Sequence, residues 1–253
     1  MKVLMLDLYW IFDAINPLPT FIFHNTFGRD GRKRLSYAYD RESIQTIMQK
    51  RAEVTRVKIL MAATTLFSEK GLNGATVDEI TRTAGVNKQR LYAYFDSKDH
   101  LFESVLLNVF ENVELFSRKT LEKAQASPER LSEILVEGFL KVHATHPTLW
   151  RLLAWANLEG PKCTEALNHA RKRENDELRI LFENEVRKGR IRPVSFEMWL
   201  FTLLAVTCFR FSNRLTLLHT LGWDPAEQTF EQKLALEINQ LFAIEPTSPD
   251  SKT

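Results

Sequence analysis

The feature that most constrains the fold of this chain is the stretch from Gly85 to Lys98, which has the pattern of a short helix entered through a tight turn. Gly85 tolerates the positive φ that a turn between two helices requires, and the Asn87 side chain can cap the helix that follows. Leu91 and Phe95 are four residues apart, so they share the inward face of a helix that begins directly after Asn87. The stretch therefore predicts the second helix of a helix-turn-helix.

The outward face of this predicted helix is polar and rich in hydrogen-bond donors. Cationic, amide and phenolic groups on one short helix suit the base edges and phosphate oxygens of a DNA major groove. The side chains left on this face are those of Lys88, Gln89, Arg90, Tyr92 and Tyr94. A solvated face without DNA contacts is the alternative, and Tyr92 could also be partly buried in the core.

Two further helices are predicted before this recognition helix. The segment Thr76–Glu79 has the Thr-x-x-Glu spacing of a capping box, and the helix that it opens ends at Gly85. The apolar stripe of that helix consists of Val77, Ile80 and Ala84. An earlier helix ends at Gly71, and its apolar residues at helical spacing are Ile59, Ala62, Ala63, Leu66 and Phe67. Three such helices form a small bundle.

The residues from Lys58 to about Leu106 resemble the tetracycline-repressor (TetR) family of bacterial transcription regulators. The segments with this resemblance are Ile59–Ala63, Leu66–Gly71, Ala75–Ile80, Ala84–Lys88 and Leu91–Lys98. The run Leu-Tyr-x-Tyr-Phe-x-Ser-Lys, at its distance from Thr-Val-x-Glu-Ile, makes the resemblance specific. It implies an all-α fold, in which an N-terminal three-helix helix-turn-helix DNA-binding domain is joined to an α-helical ligand-binding and dimerisation domain.

The resemblance also implies roles for individual residues at the DNA. The candidates for contacts to bases are Asn87, Lys88, Gln89, Arg90 and Tyr92. The candidates for contacts to phosphates are Thr76, Tyr94 and Lys98. Small residues often stand in the family where this chain has Gln89 and Arg90, so the DNA target of other members does not transfer. A long amide and a guanidinium can read adenine and guanine edges respectively, at about 1–3 kcal/mol per bidentate pair.

The chain divides into four parts. Residues 1–47 are an atypical N-terminal extension, residues 48–97 the DNA-binding domain, residues 98–245 the effector-binding and dimerisation domain, and residues 246–253 a disordered tail. Met48 stands where a family member of usual length would begin, so the native start could lie there, or the extension could be a basic arm that touches a DNA groove. Its apolar run Leu4–Phe12 is shorter than the roughly 20 residues that span a bilayer.

The second domain begins with a helix that Ser97 can cap and that connects the DNA-binding domain to the rest. Its apolar side consists of Phe102, Val105, Val109, Val113 and Phe116. Residues that could line an apolar ligand pocket are Phe139, His143, Trp150, Leu153, Trp155, Phe182, Trp199 and Phe209. Core packing is the alternative for each of them. Helix breaks are predicted at His146-Pro147, Gly160-Pro161, Gly189–Pro193 and Gly222–Pro225.

Two late apolar helices, Phe196–Leu218 and Phe230–Phe242, resemble the last two helices of the family, which form a four-helix dimer interface. Their apolar faces are Leu200, Leu203, Leu204, Phe211 and Leu215 on one, and Leu234, Ile238, Leu241 and Phe242 on the other. A core within one chain is the alternative. A twofold dimer would read a palindrome with half-sites about one helical turn apart.

Composition and missing motifs limit the other functions. The formal net charge is only +2, so indiscriminate coating of nucleic acid is not expected, although cations outnumber acids around the predicted motif. Cys163 and Cys208 lack the spacing of a metal site or disulfide framework, which favours buried thiols in a reducing cytoplasm over a redox sensor. His143 and His146 have no evident further ligand, so no metal is predicted. The sequence has no phosphate-binding loop, His-Glu-x-x-His or nucleophile elbow, so we predict no catalytic residue, cofactor or enzyme activity.

The sequence thus predicts a cytoplasmic, homodimeric transcription regulator, in particular a repressor that leaves its operator when a small-molecule effector binds. A helix-turn-helix regulator without a ligand, controlled by a protein partner or by its own abundance, is the alternative. Membrane association is not expected.

Overall fold

The structure, a computed structural model, describes residues 22–27, 33–38, 41–160, 167–222, 224 and 227–244. Its helices are α1 (Arg41–Gly74), α2 (Val77–Ala84), α3 (Lys88–Tyr94), α4 (Lys98–Ala126), α5 (Leu131–Thr145), α6 (Pro147–Glu159), α7 (Leu167–Arg187), α8 (Phe196–Ser212), α9 (Arg214–Leu221) and α10 (Gln228–Phe242), with a 3-10 turn at Pro128–Arg130. The all-α fold is therefore confirmed for the region that resembles the family.

One hairpin precedes these helices. Strands β1 (Ile22–Phe27) and β2 (Lys33–Ala38) pair antiparallel, with Ile22 opposite Ala38 and Phe27 opposite Lys33. The hairpin lies in the N-terminal extension, where the sequence indicates no compact unit. The predicted tail at 246–253 lies outside the described residues.

Contacts divide the chain into two compact units. The first comprises the described residues up to Ala63 together with Val77–Asp96, and the second comprises Thr64–Thr76 together with those from Ser97 onward. α1 therefore contributes to both units. The domain boundaries at 47/48 and 97/98 stay predictions.

α1 is interrupted near its end, at Gly71, as the sequence predicts. Gly71 has φ 72° and ψ −179°, so its backbone leaves the helix before a short stretch that ends at Gly74. A Cβ at Gly71 would lie 2.5 Å from Cε3 of Trp155. Both the backbone conformation and the close approach of this indole therefore require glycine.

The predicted helix breaks largely coincide with helix ends. α5 gives way to α6 at His146-Pro147, Gly160 follows α6, and Gly222 follows α9 in the left-handed conformation. The predicted helix Phe196–Leu218 is divided at Asn213 into α8 and α9. None of the helices in the described ranges combines the length and hydrophobicity of a membrane-spanning segment.

α4 has the cap and the buried side that its sequence predicts. The Ser97 side-chain oxygen accepts a hydrogen bond from the backbone N–H of His100 at 3.0 Å. The buried predicted residues of α4 are Phe102, Val105, Val109 and Val113. The side chain of Phe116 lies outside the described residues. α4 therefore uses this side for packing within the second unit.

The core of the second unit is centred on Trp199 of α8. Its ring centroid lies 4.6 Å from that of Phe182 and 5.9 Å from that of Phe196. Its Nε1 donates a hydrogen bond to Oγ of Ser132 at 3.0 Å. Phe139 packs against the same cluster. Core packing, the alternative to a ligand pocket, thus describes the surroundings of Phe182 and Trp199.

Candidate nucleic-acid interface

The turn between α2 and α3 has the backbone geometry that the sequence predicts. Gly85 has φ 67°, and the N–H of Val86 donates to the carbonyl oxygen of Thr81 at 3.0 Å. Oδ1 of Asn87 accepts a hydrogen bond from the backbone N–H of Arg90 at 2.7 Å. The asparagine therefore caps α3, which begins at the next residue.

The inward face of this helix pair is buried. Leu91 and Phe95 are 0% and 1% exposed, and Ile80 of α2 is fully buried as well. Thr81 is also buried, which its residue type does not indicate, and its hydroxyl donates to the carbonyl oxygen of Val77 at 2.9 Å. This packing fixes the orientation of α3, so its remaining side chains are presented on the opposite face.

The opposite face of α3 is polar and accessible. The five predicted base-contacting residues are all exposed: Asn87, Lys88, Gln89, Arg90 and Tyr92. Tyr92 is 45% exposed, so its side chain is not buried in the core. Of the predicted phosphate contacts, Thr76 is exposed, whereas Tyr94 and Lys98 are half-buried. The contacts to DNA themselves stay predictions.

Lys88 has a partner within the motif. Its Nζ lies 2.8 Å from Oδ1 of Asp78 in α2, and both side chains are largely exposed. The hydrogen bond with this carboxylate raises the pKa of Lys88. The ammonium is therefore directed toward α2 when DNA is not bound. The sequence pattern does not predict this pair, because the two residues lie in different helices.

Lys98 also contacts the protein. Its Nζ donates to the carbonyl oxygen of Ala75 at 3.0 Å, in the segment that leads into α2. An ammonium has three donors, so this bond leaves further donors for a phosphate. Lys98 therefore has a structural contact in addition to its predicted role at the DNA.

His143 and Trp150 differ from the core aromatics among the predicted pocket residues. His143 is 7% exposed, its ring centroid lies 5.7 Å from that of Phe211, and burial lowers its pKa to about 4. Nδ1 of His143 and Nε1 of Trp150 are buried without a hydrogen-bond partner among the described residues. Trp155, by contrast, packs over Gly71.

No metal centre is indicated in the described part of the chain. It contains no group of three histidine, cysteine, aspartate or glutamate side chains that could hold a metal ion. Cys208 is half-buried in α8, and Cys163 lies outside the described residues.

The late helices expose only part of the predicted apolar faces. Leu203 and Ile238 are 0% and 5% exposed and belong to the core of the chain itself. The predicted face residues that pack against this core are Leu200, Phe211, Leu234 and Phe242. The predicted face residues that are exposed are Leu204, Leu215 and Leu241. The intrachain core therefore accounts for most of the predicted dimer face.

Two helices joined by a tight turn, with a buried inner face and an exposed polar outer face, define a helix-turn-helix protein. The family model of bacterial regulatory proteins of the tetR family matches residues 59–105. The model of the tetracyclin repressor-like C-terminal domain matches residues 128–240. The chain belongs to the TetR family of DNA-binding transcriptional regulators.

Curated relatives support this assignment. The HTH-type transcriptional repressor NicS of Pseudomonas putida is 31% identical over 207 residues, which cover 75% of this chain and 94% of NicS. The HTH-type transcriptional repressor SCO4008 of Streptomyces coelicolor is 37% identical over 109 residues, which cover 42% of this chain and 52% of SCO4008. The second match thus spans about half the length of that relative.

Solved structures share the fold. HlyIIR, a hemolysin II transcriptional regulator, aligns with a TM-score of 0.55 at 18% identity, covering 77% of this chain and 99% of HlyIIR. The TetR family regulator PfmR from Thermus thermophilus aligns with a TM-score of 0.56 at 19% identity, covering 74% of this chain and 94% of PfmR. At these identities the likeness extends to the fold alone.

Proposed function

We propose that this protein is a repressor that binds a palindromic operator as a homodimer and leaves it when a small-molecule effector binds the second unit. The observation that carries the proposal is the exposed polar face of α3, which is held by a buried inner face and a bonded N-cap. The named repressors NicS and SCO4008 support repression as the direction of control. Such a protein acts in the cytoplasm, where bacterial DNA lies.

Base recognition is assigned to the exposed face of α3. In a major groove, the Arg90 guanidinium can donate two hydrogen bonds to guanine, and the Gln89 amide can pair with adenine. Further base contacts are assigned to Asn87, Lys88 and Tyr92. Phosphate contacts, which position the helix without reading sequence, are assigned to Thr76, Tyr94 and Lys98.

A second copy of the chain is the proposed occupant of the exposed apolar side of α8. We call this side the α8 stripe, and its exposed residues are Met198, Phe201, Leu204 and Phe209. A groove of about 400 Å³ on this helix is lined by Ala205, Val206, Cys208, Phe209 and Ser212. Exposed apolar patches of this kind mark interaction sites, and a twofold pairing fits the family resemblance of the late helices. The two helix-turn-helix motifs of such a dimer would read half-sites about 34–36 Å apart.

Effector and operator would oppose each other by linkage. The effector must favour a conformation in which the two recognition helices are wrongly spaced, since a ligand that binds both conformations equally changes nothing. A regulator without a ligand is the second candidate. A thermal-shift screen against metabolites separates the two, because a ligand of the folded state raises the unfolding midpoint.

DNA binding is tested by fluorescence anisotropy on genomic fragments that the protein selects, beginning with the DNA that flanks its own gene. Binding should resist scrambled competitor DNA and fall steeply with salt, because phosphate contacts release counterions. The control Arg187→Ala removes an exposed cation of α7 and should bind as the wild type does. Equal affinity for selected and scrambled DNA would contradict the proposal.

The α8 stripe is tested by sedimentation of two variants that each place a charge on an exposed leucine or phenylalanine. Phe201→Glu should produce monomers and weaken operator binding, because it buries a carboxylate in the proposed interface. Leu158→Glu, at a position of α6 that is 78% exposed, should remain dimeric. A dimer that survives Phe201→Glu would place the interface elsewhere.

A further inference from the structure

Nδ1 of His143, in the last turn of α5, and Nε1 of Trp150, in the first turn of α6, are buried without a hydrogen-bond partner among the described residues. Buried polar side chains in folded proteins are bonded in the large majority of cases. Among the described residues these two atoms, on either side of one helix corner, are exceptions, so a bound ligand can supply the partner that the described part of the chain does not.

The same unit contains a second indole, that of Trp199, whose buried N–H is hydrogen-bonded within the core. Trp199 is fully buried, and its Nε1 donates to Oγ of Ser132 at 3.0 Å. Trp150 has no such acceptor among the described residues, so its N–H loses water without gaining a bond. A buried N–H that is not paired within the described part of the chain is suited to a ligand that accepts a hydrogen bond.

The chemistry of the two side chains restricts this ligand. An indole N–H only donates, so Trp150 requires an acceptor atom. Burial lowers the pKa of His143 to about 4, so its imidazole is neutral at physiological pH and offers one donor and one acceptor. The ring of Phe211, 5.7 Å from that of His143, adds an apolar wall. An ammonium, which only donates, would leave Trp150 unsatisfied.

The charges on α6 favour the same class of ligand. Cζ of Arg151 lies 5.5 Å from the centroid of the Trp150 ring, which places a positive charge beside the indole. Glu159, at the other end of α6, accepts a hydrogen bond from the backbone N–H of Asn73 at 3.1 Å. The cation therefore lies next to the unpaired indole and the acid is engaged elsewhere, which favours a ligand oxygen with partial or full negative charge.

We propose that this corner binds a small, largely apolar ligand with a carbonyl or carboxylate group, an oxygen of which accepts a hydrogen bond from Nε1 of Trp150, while a polar atom of the same ligand pairs with Nδ1 of His143. The inference rests on the proposed function, because this ligand would be the effector. It adds the place at which the effector binds and the chemical class to which it belongs.

A pair of matched substitutions tests the unpaired indole without any ligand. Trp150→Phe removes a buried N–H that has no acceptor among the described residues and should keep or raise the urea midpoint of unfolding. Trp199→Phe removes an N–H that is bonded to Ser132 and should lower the midpoint, because the hydroxyl loses its partner. If Trp150→Phe lowers the midpoint as much as Trp199→Phe does, the indole is structural and the inference is overturned.

Three sets of probes that differ at the polar atom test the ligand class. Carboxylates (benzoate, phenylacetate, hexanoate) or their amides should raise the thermal midpoint of the wild type, and the corresponding amines should not. Trp150→Phe and His143→Leu should each reduce the shift. A larger shift with the carboxylates than with the amides would identify the ligand as an anion. A larger shift with the amides would identify it as a neutral carbonyl compound. Equal shifts with the amines, or no shift with any carboxylate or amide, would overturn the inference.

The indole resonance of Trp150 gives a readout that needs only the wild-type fold. Its ¹H–¹⁵N signal, assigned by its absence from Trp150→Phe, should move downfield as a probe saturates the protein, and an unmoved signal would overturn the inference. Operator anisotropy in the same samples separates the two proposals. A probe that moves the signal without releasing DNA supports the site and contradicts effector release. Release of DNA by a compound that leaves the signal unmoved contradicts the site alone.

Discussion

The two helix corners of this protein, α2–α3 and α5–α6, treat their polar groups in opposite ways. At the first, Asn87 caps α3, and exposed polar side chains lie opposite a face that buries Leu91 and Phe95. At the second, nitrogens of His143 and Trp150 are buried without a partner among the described residues. Within the described residues, the first corner thus bonds or exposes these polar groups, whereas the second buries two nitrogens without a partner.

This difference follows from the kind of partner that each corner can take. A surface for DNA can be finished in advance, because water satisfies its exposed polar groups until the DNA arrives. The two nitrogens at the second corner are buried, so under the proposal they gain a partner only when the ligand binds. Affinity at the first corner is then sensitive to salt, and affinity at the second depends on a few directional bonds in an apolar setting.

The largest expected effect tests whether the first corner depends on its buried face. Leu91→Ala leaves a cavity beneath α3 and should lower the free energy of unfolding by about 2–5 kcal/mol. Gln89→Ala, at an exposed position of the same helix, should stay within about 0.5 kcal/mol of the wild type. Urea denaturation followed by circular dichroism measures both variants. Equal losses would show that the buried face does not hold α3.

Alanine substitutions at two glycines compare the packing near the two corners. Gly85 lies at the α2–α3 corner, and Gly71 contacts α6, which begins at the α5–α6 corner. An added Cβ would meet Cε3 of Trp155 at 2.5 Å in Gly71→Ala, whereas nothing lies within 4 Å at Gly85. The positive φ of both glycines costs each alanine variant about 1–3 kcal/mol. The clash should cost Gly71→Ala about 1–3 kcal/mol more. Equal thermal midpoints for the two variants would contradict the packing of Trp155 on α1.

Two substitutions distinguish base contacts from phosphate contacts at the first corner. Arg90→Ala should lose about 1–3 kcal/mol of discrimination against the wrong base. Lys98→Ala should weaken binding to all sequences about equally and reduce the salt slope. Anisotropy titrations on the operator and on single-base variants of it measure both effects. A uniform loss for Arg90→Ala would remove this residue from base recognition.

The smallest expected effect concerns the ion pair between Asp78 and Lys88. Asp78→Asn removes the carboxylate that raises the pKa of Lys88, so this pKa should fall. The ammonium is then released toward solvent, and affinity for scrambled DNA should rise modestly at low salt and by less at high salt. Asp99→Asn, which removes an exposed acid of α4, is the control. An unchanged affinity for scrambled DNA would mean that the pair does not restrain Lys88.

The first corner could be predicted from the sequence because its determinants are local. The left-handed glycine, the Asn87 cap and the spacing of Leu91 and Phe95 all act within a few residues of one another. The pair between Asp78 and Lys88 could not be predicted in this way, since it depends on how two helices are packed. Pattern in the sequence determines a helix and its faces, but not the contacts between side chains of different helices.

The α8 stripe is a surface that the hydrophobic pattern of the sequence does not predict. Leu200, Phe201, Leu203 and Leu204 follow one another closely, so apolar residues surround the helix and no periodicity selects one side. Tertiary packing places Leu203 in the core and leaves Phe201 63% exposed. In the same way, residue type alone makes Trp150 and Trp199 equal candidates for a pocket, and only the position of Ser132 distinguishes them.

α6 connects the α5–α6 corner to the end of α1. Trp150 lies in its first turn, and farther along Trp155 lies against Gly71, while Glu159 accepts hydrogen bonds from the backbone and the side chain of Asn73. The indole and the two hydrogen bonds thus join α6 to the last residues of α1. A movement that separated α6 from Gly71 would break the hydrogen bonds between Glu159 and Asn73.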